Sequence, residues 1–297
     1  MSLGPILGSG GLALMIPPSG LAVLLGALAE ISIGKILIAI IIPGILLSVL
    51  YTAYIIIRCS LQPSIAPAYT VPPISLSKKI ITTVQYILPI GIIIFLVIGV
   101  IILGIATPTE ASALGAFGTF VLVAAYGKLN WQVVKNSLNG TLQTTVMIFM
   151  IIVGAKVFSQ VLAASGAMQG AIKFTLGLPL SPILILIAMQ LVLLFMGTFV
   201  TVVSIMLITV PLFMPVVEAL GFDPVWFAVL FLLNSEMATT TPPFGLSLFV
   251  MKGVAPPDTA MEDIYRAGLP FLGCDLIAMI LIIAFPGIAL WLPAVMK

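Results

Sequence analysis

The sequence Thr241-Pro242-Pro243-Phe244-Gly245 interrupts an apolar segment near one end of this chain, and Ile16-Pro17-Pro18-Ser19-Gly20 does the same near the other. Proline lacks a backbone N–H and clashes with the preceding turn, so a Pro-Pro pair cannot continue a helix. Inside a bilayer, a broken helix is tolerated only where its freed backbone groups are buried in protein or line a polar cavity. The same break found twice predicts two copies of one unit and a site built from unwound main chain, which is typical of secondary transporters.

The composition predicts an integral membrane protein. Of the 297 residues, 62% are hydrophobic and only 7% are charged, whereas soluble domains carry about 25% charged residues. Several apolar stretches reach the roughly 20 residues that a membrane helix needs. We therefore predict an all-α, polytopic protein embedded in the lipid bilayer, with inverted repeats, broken helices and a re-entrant hairpin of the ion-transporter type.

The composition also excludes several classes of function. The chain has no histidine, which excludes a histidine proton relay, a histidine–zinc site and a Ser-His-Asp triad. No phosphate-cradling Gly-Lys-Ser/Thr loop is present, so the chain is not itself an ATPase. The net charge of +2 comes from scattered basic residues and gives no indication of nucleic-acid binding. Cys59 and Cys274 are interpreted as two free thiols, and no cofactor is expected.

The chain divides into four predicted parts: residues 1–57 as a first repeat, 58–79 as a cytoplasmic linker rich in Pro and Ser, 80–182 as central helices and connections, and 183–297 as a second repeat. The first repeat contains a broken helix over 4–28 and a helix over 36–57. Further predicted segments are a span over 86–105 that resumes over 111–126, an amphipathic surface segment over 127–138, a span over 140–164, a Gly-rich link to Pro182, a broken helix over 225–250 and a last span over 269–292.

Residues 183–217 are long enough for about one and a half crossings at 1.5 Å per residue. Gly197-Thr198-Phe199-Val200-Thr201 interrupts them in the middle. We interpret the stretch as a re-entrant hairpin with a hydroxyl-bearing tip; the alternative is two ordinary helices joined by a tight turn.

The basic residues predict the orientation, because they concentrate in cytoplasmic loops. With the 58–79 loop inside, counting crossings leaves only Lys35, Lys173 and Lys297 outside. The cytoplasmic set is Arg58, Lys78, Lys79, Lys128, Lys135, Lys252 and Arg266. In this orientation the first broken helix runs outward and the second inward, so the two repeats are inverted.

The second break carries the richest cluster of candidate ligands: Ser235, Glu236, Thr239, Thr240, Thr241, Pro242 and Pro243. Carbonyls of unwound backbone and threonine hydroxyls are oxygen ligands for a hard cation, so Na⁺ is predicted at Thr239, Thr240 and Thr241. The half-helix that starts near Gly245 would present its N-terminus to an anionic substrate. Glu236 is expected in the unwound region. The alternative is a proline-kinked helix whose threonines bond to neighbouring carbonyls.

Two further groups complete the predicted substrate and ion site. The first break contributes Gly10, Gly11, Pro17, Pro18 and Ser19, and the hairpin tip contributes Thr198, Thr201 and Ser204. Small polar residues at the tip also serve helix–helix packing, which is the alternative interpretation of that group.

Two other acids lie in or beside apolar segments. Glu110 follows Thr107-Pro108-Thr109, and we favour a structural motif in which it caps the next helix, with Thr107 or Thr109 as N-cap. Asp275 is expected near the cytoplasmic end of the last span, at the membrane interface.

These motifs resemble the large membrane subunit of tripartite ATP-independent periplasmic (TRAP) transporters, the DctM-like family. The matching stretches, in order along essentially the whole chain, are Gly10-Gly11-Leu12-Ala13-Leu14-Met15-Ile16-Pro17-Pro18-Ser19, Gly104-Ile105-Ala106-Thr107-Pro108-Thr109-Glu110-Ala111, Leu220-Gly221-Phe222-Asp223-Pro224-Val225, and Thr241-Pro242-Pro243-Phe244-Gly245-Leu246 with Leu248-Phe249-Val250. The resemblance implies a sodium-driven importer of organic acids in the bacterial inner membrane. It also implies a small membrane subunit and a periplasmic binding protein as partners, and sodium held where hairpin and broken helix meet.

The chain departs from the family pattern in two respects. The family's large subunit has a further N-terminal part with a first hairpin, so this chain corresponds to its C-terminal two thirds and we expect it to be poorly active alone. The family often has an acidic residue at the tip of the second hairpin, where this chain has Thr201 followed by Val202.

The resulting expectation is sodium-coupled uptake of a small carboxylate, such as a C4-dicarboxylate. A proton-coupled secondary permease is the alternative. An intramembrane enzyme is disfavoured, because the chain has no histidine and its sequence indicates no pair of acids converging at mid-membrane.

Overall fold

The computed structural model describes residues 2–66 and 74–295 of the chain. Throughout these residues the regular structure is helical. By length and composition, six of the described helices can cross a membrane, or seven if a bent pair near the N-terminus counts as one span. The prediction of an all-α polytopic membrane protein is confirmed.

The first broken helix is present. Helix α1 (Leu3–Met15) and helix α2 (Gly20–Ala29) meet at an angle of 42°. Between them the chain passes through the cis peptide bond of Pro17-Pro18, and Ser19 begins α2 by accepting the N–H of Ala22 at 3.4 Å.

The predicted helix over 36–57 is observed as α3 (Ile33–Ala39) followed by α4 (Ile41–Leu61). Part of the predicted linker is therefore helical, since α4 reaches Leu61, a 3₁₀ turn covers Pro63–Ile65 and a further helix starts at Leu76. Residues 67–73 of that linker and Lys297 of the outer basic set lie outside the described residues.

The middle of the chain forms four helices: α5 (Leu76–Ile102), α6 (Pro108–Ala125), α7 (Trp131–Ala164) and α8 (Ala167–Leu176). Helix α5 contains two π-helical stretches, at Thr83–Ile87 and Phe95–Gly99. One prediction is wrong here, because the Gly-rich link is mostly α8. The predicted surface segment over 127–138 is mostly the first turns of α7, and its location at the membrane surface stays a prediction. The glycines in the Gly-rich link favour a loop in the sequence. In the structure, Gly166 adopts a left-handed conformation immediately before α8, and the helix itself is intact.

The C-terminal part contains the hairpin α9 (Pro182–Gly197) and α10 (Val202–Ala219), and then the second broken helix, α11 (Pro224–Thr240) and α12 (Leu246–Val254). The last span begins earlier in the sequence than predicted. Helix α13 covers Met261–Ala284, and a separate helix α14 covers Gly287–Val295.

Two compact units are distinguished in the described residues. One contains residues 74–149, where α6 packs on α5; the other contains residues 2–66 and 150–295. In the smaller unit Gly115 of α6 is so close to α5 that a Cβ there would lie 2.4 Å from Val97. All candidate ligands of the two breaks and the hairpin lie in the larger unit. The four-part division made from the sequence remains a prediction.

Helix α11 forms the centre of the larger unit. It is enclosed on all sides, and 15 of its 17 residues are buried, as expected for a helix surrounded by others. Asp223 begins it by accepting the N–H groups of Val225 (2.7 Å) and Trp226 (3.0 Å). The Trp226 indole donates to the Ile282 carbonyl at 3.0 Å and fixes α11 to α13.

Helix α1 lies against α11 and α13 through a face of glycines. A Cβ at Gly8 would lie 2.5 Å from the ring of Phe271 on α13, and one at Gly11 would lie 2.4 Å from Glu236 on α11. Small residues on one helix face let membrane helices approach closely. Helix α1, which leads into the first break, therefore packs directly against α11, which leads into the second break.

Candidate functional site

The hairpin tip lies against the second break. At the end of α9, a Cβ on Gly197 would lie 2.2 Å from the Cβ of Ala238 on α11. The rings of Phe199 at the tip and Phe244 in the break are 5.5 Å apart between centroids. The structure thus brings the hairpin tip to the second break, and Gly11 of the first-break group also lies against Glu236 of the second-break group.

Helix α11 stays helical as far as Thr240, which corrects the expectation that Glu236 lies in unwound chain. The hydroxyls of the three threonines donate to helix carbonyls: Thr239 to Glu236 (2.9 Å), Thr240 to Met237 (3.1 Å) and Thr241 to Met237 (2.6 Å). Ser235 likewise donates to the carbonyl of Phe231 at 2.8 Å. This bonding is what the proline-kinked alternative predicts, and it leaves the lone pairs of the hydroxyl oxygens as the groups that can meet a cation.

The chain leaves the helix at Thr241 and turns through Pro242, Pro243 and Phe244. The N–H of Gly245 closes the turn on the Thr241 carbonyl at 3.1 Å, and the Tyr265 hydroxyl of α13 donates to the Pro243 carbonyl at 2.9 Å. Helix α12 then begins at Leu246 without a side-chain cap. Its first N–H groups are directed toward the break and suit an anion.

The hydroxyls of the hairpin tip are held by local bonds. Thr198 is buried and donates to the Phe195 carbonyl at 2.8 Å. Thr201 begins α10, accepting the N–H of Ser204 at 3.4 Å, and its hydroxyl lies 3.0 Å from that of Ser204. Neither Thr201 nor Ser204 is buried, so both hydroxyls are available at the surface of the tip.

The residues of the first break divide into two groups. Gly10 faces open space, whereas Gly11 is pressed against Glu236. Ser19 is buried and is engaged as the N-cap of α2. Ligation by these residues, like ligation by Thr239 and Thr240, stays a prediction.

A cluster of acids that the sequence did not predict lies beside Gly11. The Tyr51 hydroxyl of α4 is 3.0 Å from Oε1 of Glu236 on α11 and is also within hydrogen-bond distance of Oδ1 of Asp275 on α13. The two acids are each 1% exposed and the tyrosine is 4% exposed. Asp275 is therefore not interfacial, and a pair of carboxyl groups does converge inside the protein, contrary to the expectation from sequence.

The sequence identifies Asp275 as an acid in an apolar span but predicts the wrong position for it along the helix. An acid inside an apolar span implies a function or a partner, but the span was predicted to start at Leu269. Because α13 begins at Met261, Asp275 lies in the middle of the helix. Nothing in the sequence distinguishes Tyr51, since a tyrosine in an apolar helix is common.

Glu110 has the capping role that the sequence predicted. The backbone N–H of Thr107 donates to Oε2 of Glu110 at 2.8 Å, and the N–H of Glu110 donates to the Thr107 hydroxyl at 3.3 Å. Pro108 occupies the first turn of α6. Of the two N-cap candidates, Thr107 is confirmed.

A cavity between α9, α11 and α13 is poorly suited to an anion. It has a volume of about 320 Å³, and its lining is almost entirely apolar apart from Gln190 and Asn234. Nor do three or more acidic or cysteine side chains cluster as a metal site within residues 2–66 and 74–295. A cation bound by these residues would need main-chain and hydroxyl oxygens as its ligands.

Comparison with known proteins places these features in a family. A family model described as "Tripartite ATP-independent periplasmic transporter, DctM component" matches residues 2–288. The chain is 31% identical to the C4-dicarboxylate TRAP transporter large permease protein DctM of Pseudomonas aeruginosa, over 98% of this chain and 66% of that protein. It is 30% identical to the sialic acid TRAP transporter large permease protein SiaM of Vibrio cholerae, over 94% of this chain and 64% of that protein.

A third relative is named for another substrate. The ectoine/5-hydroxyectoine TRAP transporter large permease protein UehC of Ruegeria pomeroyi is 29% identical, over 97% of this chain and 66% of that protein. The chain thus spans 64% to 66% of the length of these three relatives. Since the family model matches nearly the whole chain, the chain belongs to the DctM component family of tripartite ATP-independent periplasmic transporters, which are permeases and not enzymes.

Proposed function

We propose that this chain forms the core of the large permease subunit of a sodium-coupled secondary transporter that imports a small organic acid. The observation that carries the proposal is the junction between the hairpin tip and the second break. There Phe199 meets Phe244, and the uncapped α12 starts just beyond, at Leu246.

An anionic substrate suits this junction because of the helix end. The N-terminus of a helix carries a partial positive charge and free N–H groups, which favour a carboxylate. The relatives are named for C4-dicarboxylate, sialic acid and ectoine, so we propose a small carboxylate, such as a C4-dicarboxylate, without assigning one compound.

The coupling cation is proposed at the same junction. Its ligands would be main-chain carbonyls of residues 241–244 together with the hydroxyl oxygens of Thr198, Thr201 and Thr241. Carbonyl and hydroxyl oxygens can hold a hard cation without a full negative charge nearby. Proton coupling is the competing proposal, because the chain also contains the buried acids Glu236 and Asp275.

The proposed partners follow from the family. A periplasmic binding protein would deliver the substrate, and a small membrane subunit would complete the permease in the bacterial inner membrane. The structure itself supports only a multi-pass membrane location, through its six candidate spans.

Uptake by the assembled transporter tests this function. Proteoliposomes containing the permease complex and its binding protein would be given labelled C4-dicarboxylate under an inward sodium gradient, and separately under a proton gradient alone. We expect uptake only with sodium. Uptake that ignores sodium and follows the proton gradient would support the competing proposal instead.

A matched pair of variants tests the position of the cation. Thr241→Val removes a proposed ligand, and we expect about tenfold more sodium at half-maximal uptake, which corresponds to roughly 1.4 kcal/mol. Thr109→Val, on the exposed first turn of α6, is the control and should leave the sodium dependence unchanged. Equal sodium dependence in both variants would exclude Thr241 as a ligand.

A further inference from the structure

We propose that Tyr51, Glu236 and Asp275 form a proton-binding site inside the membrane, in which one proton is shared between the two carboxyl groups through the tyrosine hydroxyl. The site joins α4, α11 and α13, and Gly11 of α1 packs against it. It does not depend on which substrate or ion the transporter uses.

The number of available hydrogens requires the extra proton. The Tyr51 oxygen contacts an oxygen of Glu236 and an oxygen of Asp275, but a tyrosine hydroxyl has a single hydrogen to donate. Ionised carboxylates only accept hydrogen bonds. Both contacts are hydrogen bonds only if one carboxyl group carries a proton and donates to the tyrosine oxygen while the tyrosine donates to the other.

The surroundings assign that proton to Glu236. Its second oxygen, Oε2, is buried and has no hydrogen-bond partner among the described residues. An ionised carboxylate with one oxygen left without a donor is costly in the interior, whereas the carbonyl oxygen of a neutral acid costs far less. Asp275 then accepts the tyrosine hydrogen as the ionised member.

Among residues 2–66 and 74–295, no lysine or arginine forms an ion pair with Glu236 or Asp275. Helix α1 contains no titratable side chain, and α11 contributes only Glu236. Helix α13 adds Cys274 beside Asp275, and its sulfur lies 4.0 Å from the Leu50 carbonyl. With both carboxyl groups ionised, two negative charges would share a buried site, which is strongly unfavourable.

The basic residues of the same helices lie elsewhere. Arg58 of α4 and Arg266 of α13 line a separate cavity of about 140 Å³ together with Tyr54 and Phe271. The Phe271 ring, which lines that cavity, is 5.2 Å from the ring of Tyr51 and 5.3 Å from that of Tyr54 between centroids. The remaining charged residues of α13, Glu262 and Asp263, are exposed in its first turn.

Proton occupancy has a structural consequence. The proton stabilises the contact between α4, α13 and the helix that leads into the second break. Its removal would leave the repulsion between Glu236 and Asp275 to act on that contact, so loading and release of the proton would bias how α11 packs against its neighbours.

Infrared spectroscopy of the purified chain in lipid nanodiscs tests the proposal. We expect the carbonyl stretch of a protonated carboxylic acid at neutral pH, shifted in D₂O, and lost in Glu236→Gln. Glu218→Gln is the matched control, because Glu218 is exposed near the end of α10, and it should retain the band. Absence of the band from the wild-type chain, or its persistence in Glu236→Gln, would overturn the proposal.

Two further measurements keep the test decisive. Adding sodium at constant pH should leave the band in place; a band that sodium removes but potassium does not would make this a sodium site. Thermal unfolding covers the case in which a variant loses its fold. Glu236→Gln imitates the neutral acid without the proton that wild type must take up on folding, so its midpoint should equal or exceed that of wild type at neutral pH and fall less than wild type as the pH is raised. A wild-type midpoint that is as insensitive to high pH as that of the variant would contradict the proposal.

Discussion

Gly11 is the residue through which the first broken helix touches the buried acids, and its lack of a side chain is what permits the contact. In Gly11→Ala, the new Cβ would lie 2.4 Å from Glu236, so either α1 or the glutamate has to move. Overpacking of this kind costs about 1–3 kcal/mol. We expect a lower thermal midpoint for the chain in detergent, measured by tryptophan fluorescence.

The adjacent glycine supplies the control for this prediction. Gly10 lies on the same helix, and a Cβ added there would have no other atom within 4 Å. Alanine is favoured over glycine in a helix by up to about 1 kcal/mol. Gly10→Ala should therefore be neutral or slightly stabilising. Equal destabilisation by both substitutions would mean that helix α1 does not pack as described.

At the residue scale, the sequence identifies individual candidate residues better than it identifies which of them are in contact. Glu236 and Glu110 both stand out as acids beside apolar stretches, and the spacing Thr107 to Glu110 is enough to predict a cap because the contact is local. Tyr51, in contrast, contacts Glu236, which lies 185 positions later in the chain, and Asp275, which lies 224 positions later. Only the packing of three helices produces these contacts, and no local pattern encodes that packing.

The first helix of the hairpin is shorter than a full crossing, whereas α10, with 18 residues, is one of the six candidate spans. Helix α9 has 16 residues, which corresponds to about 24 Å at 1.5 Å per residue, whereas the hydrocarbon core is about 30 Å thick. The length of α9 favours a re-entrant hairpin whose tip stops inside the membrane. The alternative of two full spans would put the tip at the cytoplasmic surface.

Cysteine labelling distinguishes the two arrangements. Val200→Cys at the tip, in a chain with Cys59 and Cys274 replaced by alanine, should not react with an impermeant maleimide applied from the cytoplasmic side. Asp258→Cys, in the exposed connection between α12 and α13, should react from that side in the same membranes. Reaction of both cysteines from the cytoplasm would show that α9 and α10 cross completely.

The broken helices were predictable as elements because proline acts locally. Pro17-Pro18 and Pro242-Pro243 end α1 and α11 within a few residues of the predicted positions. The end of α11 could not be placed more closely, since the threonine hydroxyls bond to carbonyls within the helix and extend it to Thr240. Helix α8 was missed because its flanking glycines suggested a loop, although Gly166 only sets the turn before it.

At the scale of the whole molecule, the predicted inverted relation of the two repeats is an arrangement typical of alternating-access transporters. It rests on the distribution of basic residues, which places Lys173 outside and Lys252 inside. Between these two lysines the chain forms the hairpin α9–α10 and the broken helix α11–α12; we expect the hairpin to return to its starting side and the broken helix to cross once. The side on which each lysine lies therefore reports whether the second broken helix spans the membrane.

We predict opposite accessibility for Lys173→Cys and Asp258→Cys, again without Cys59 and Cys274. An impermeant maleimide should label the first only in right-side-out vesicles and the second only in inverted vesicles, because an odd number of crossings separates them. Both positions are exposed in the structure, so a failure to react from one side reports the membrane and not burial. Labelling of both from one side would mean that α11 and α12 turn back at the Pro242-Pro243 break, in which case the two repeats are not inverted and a coupling site at this break loses its access to both faces of the membrane.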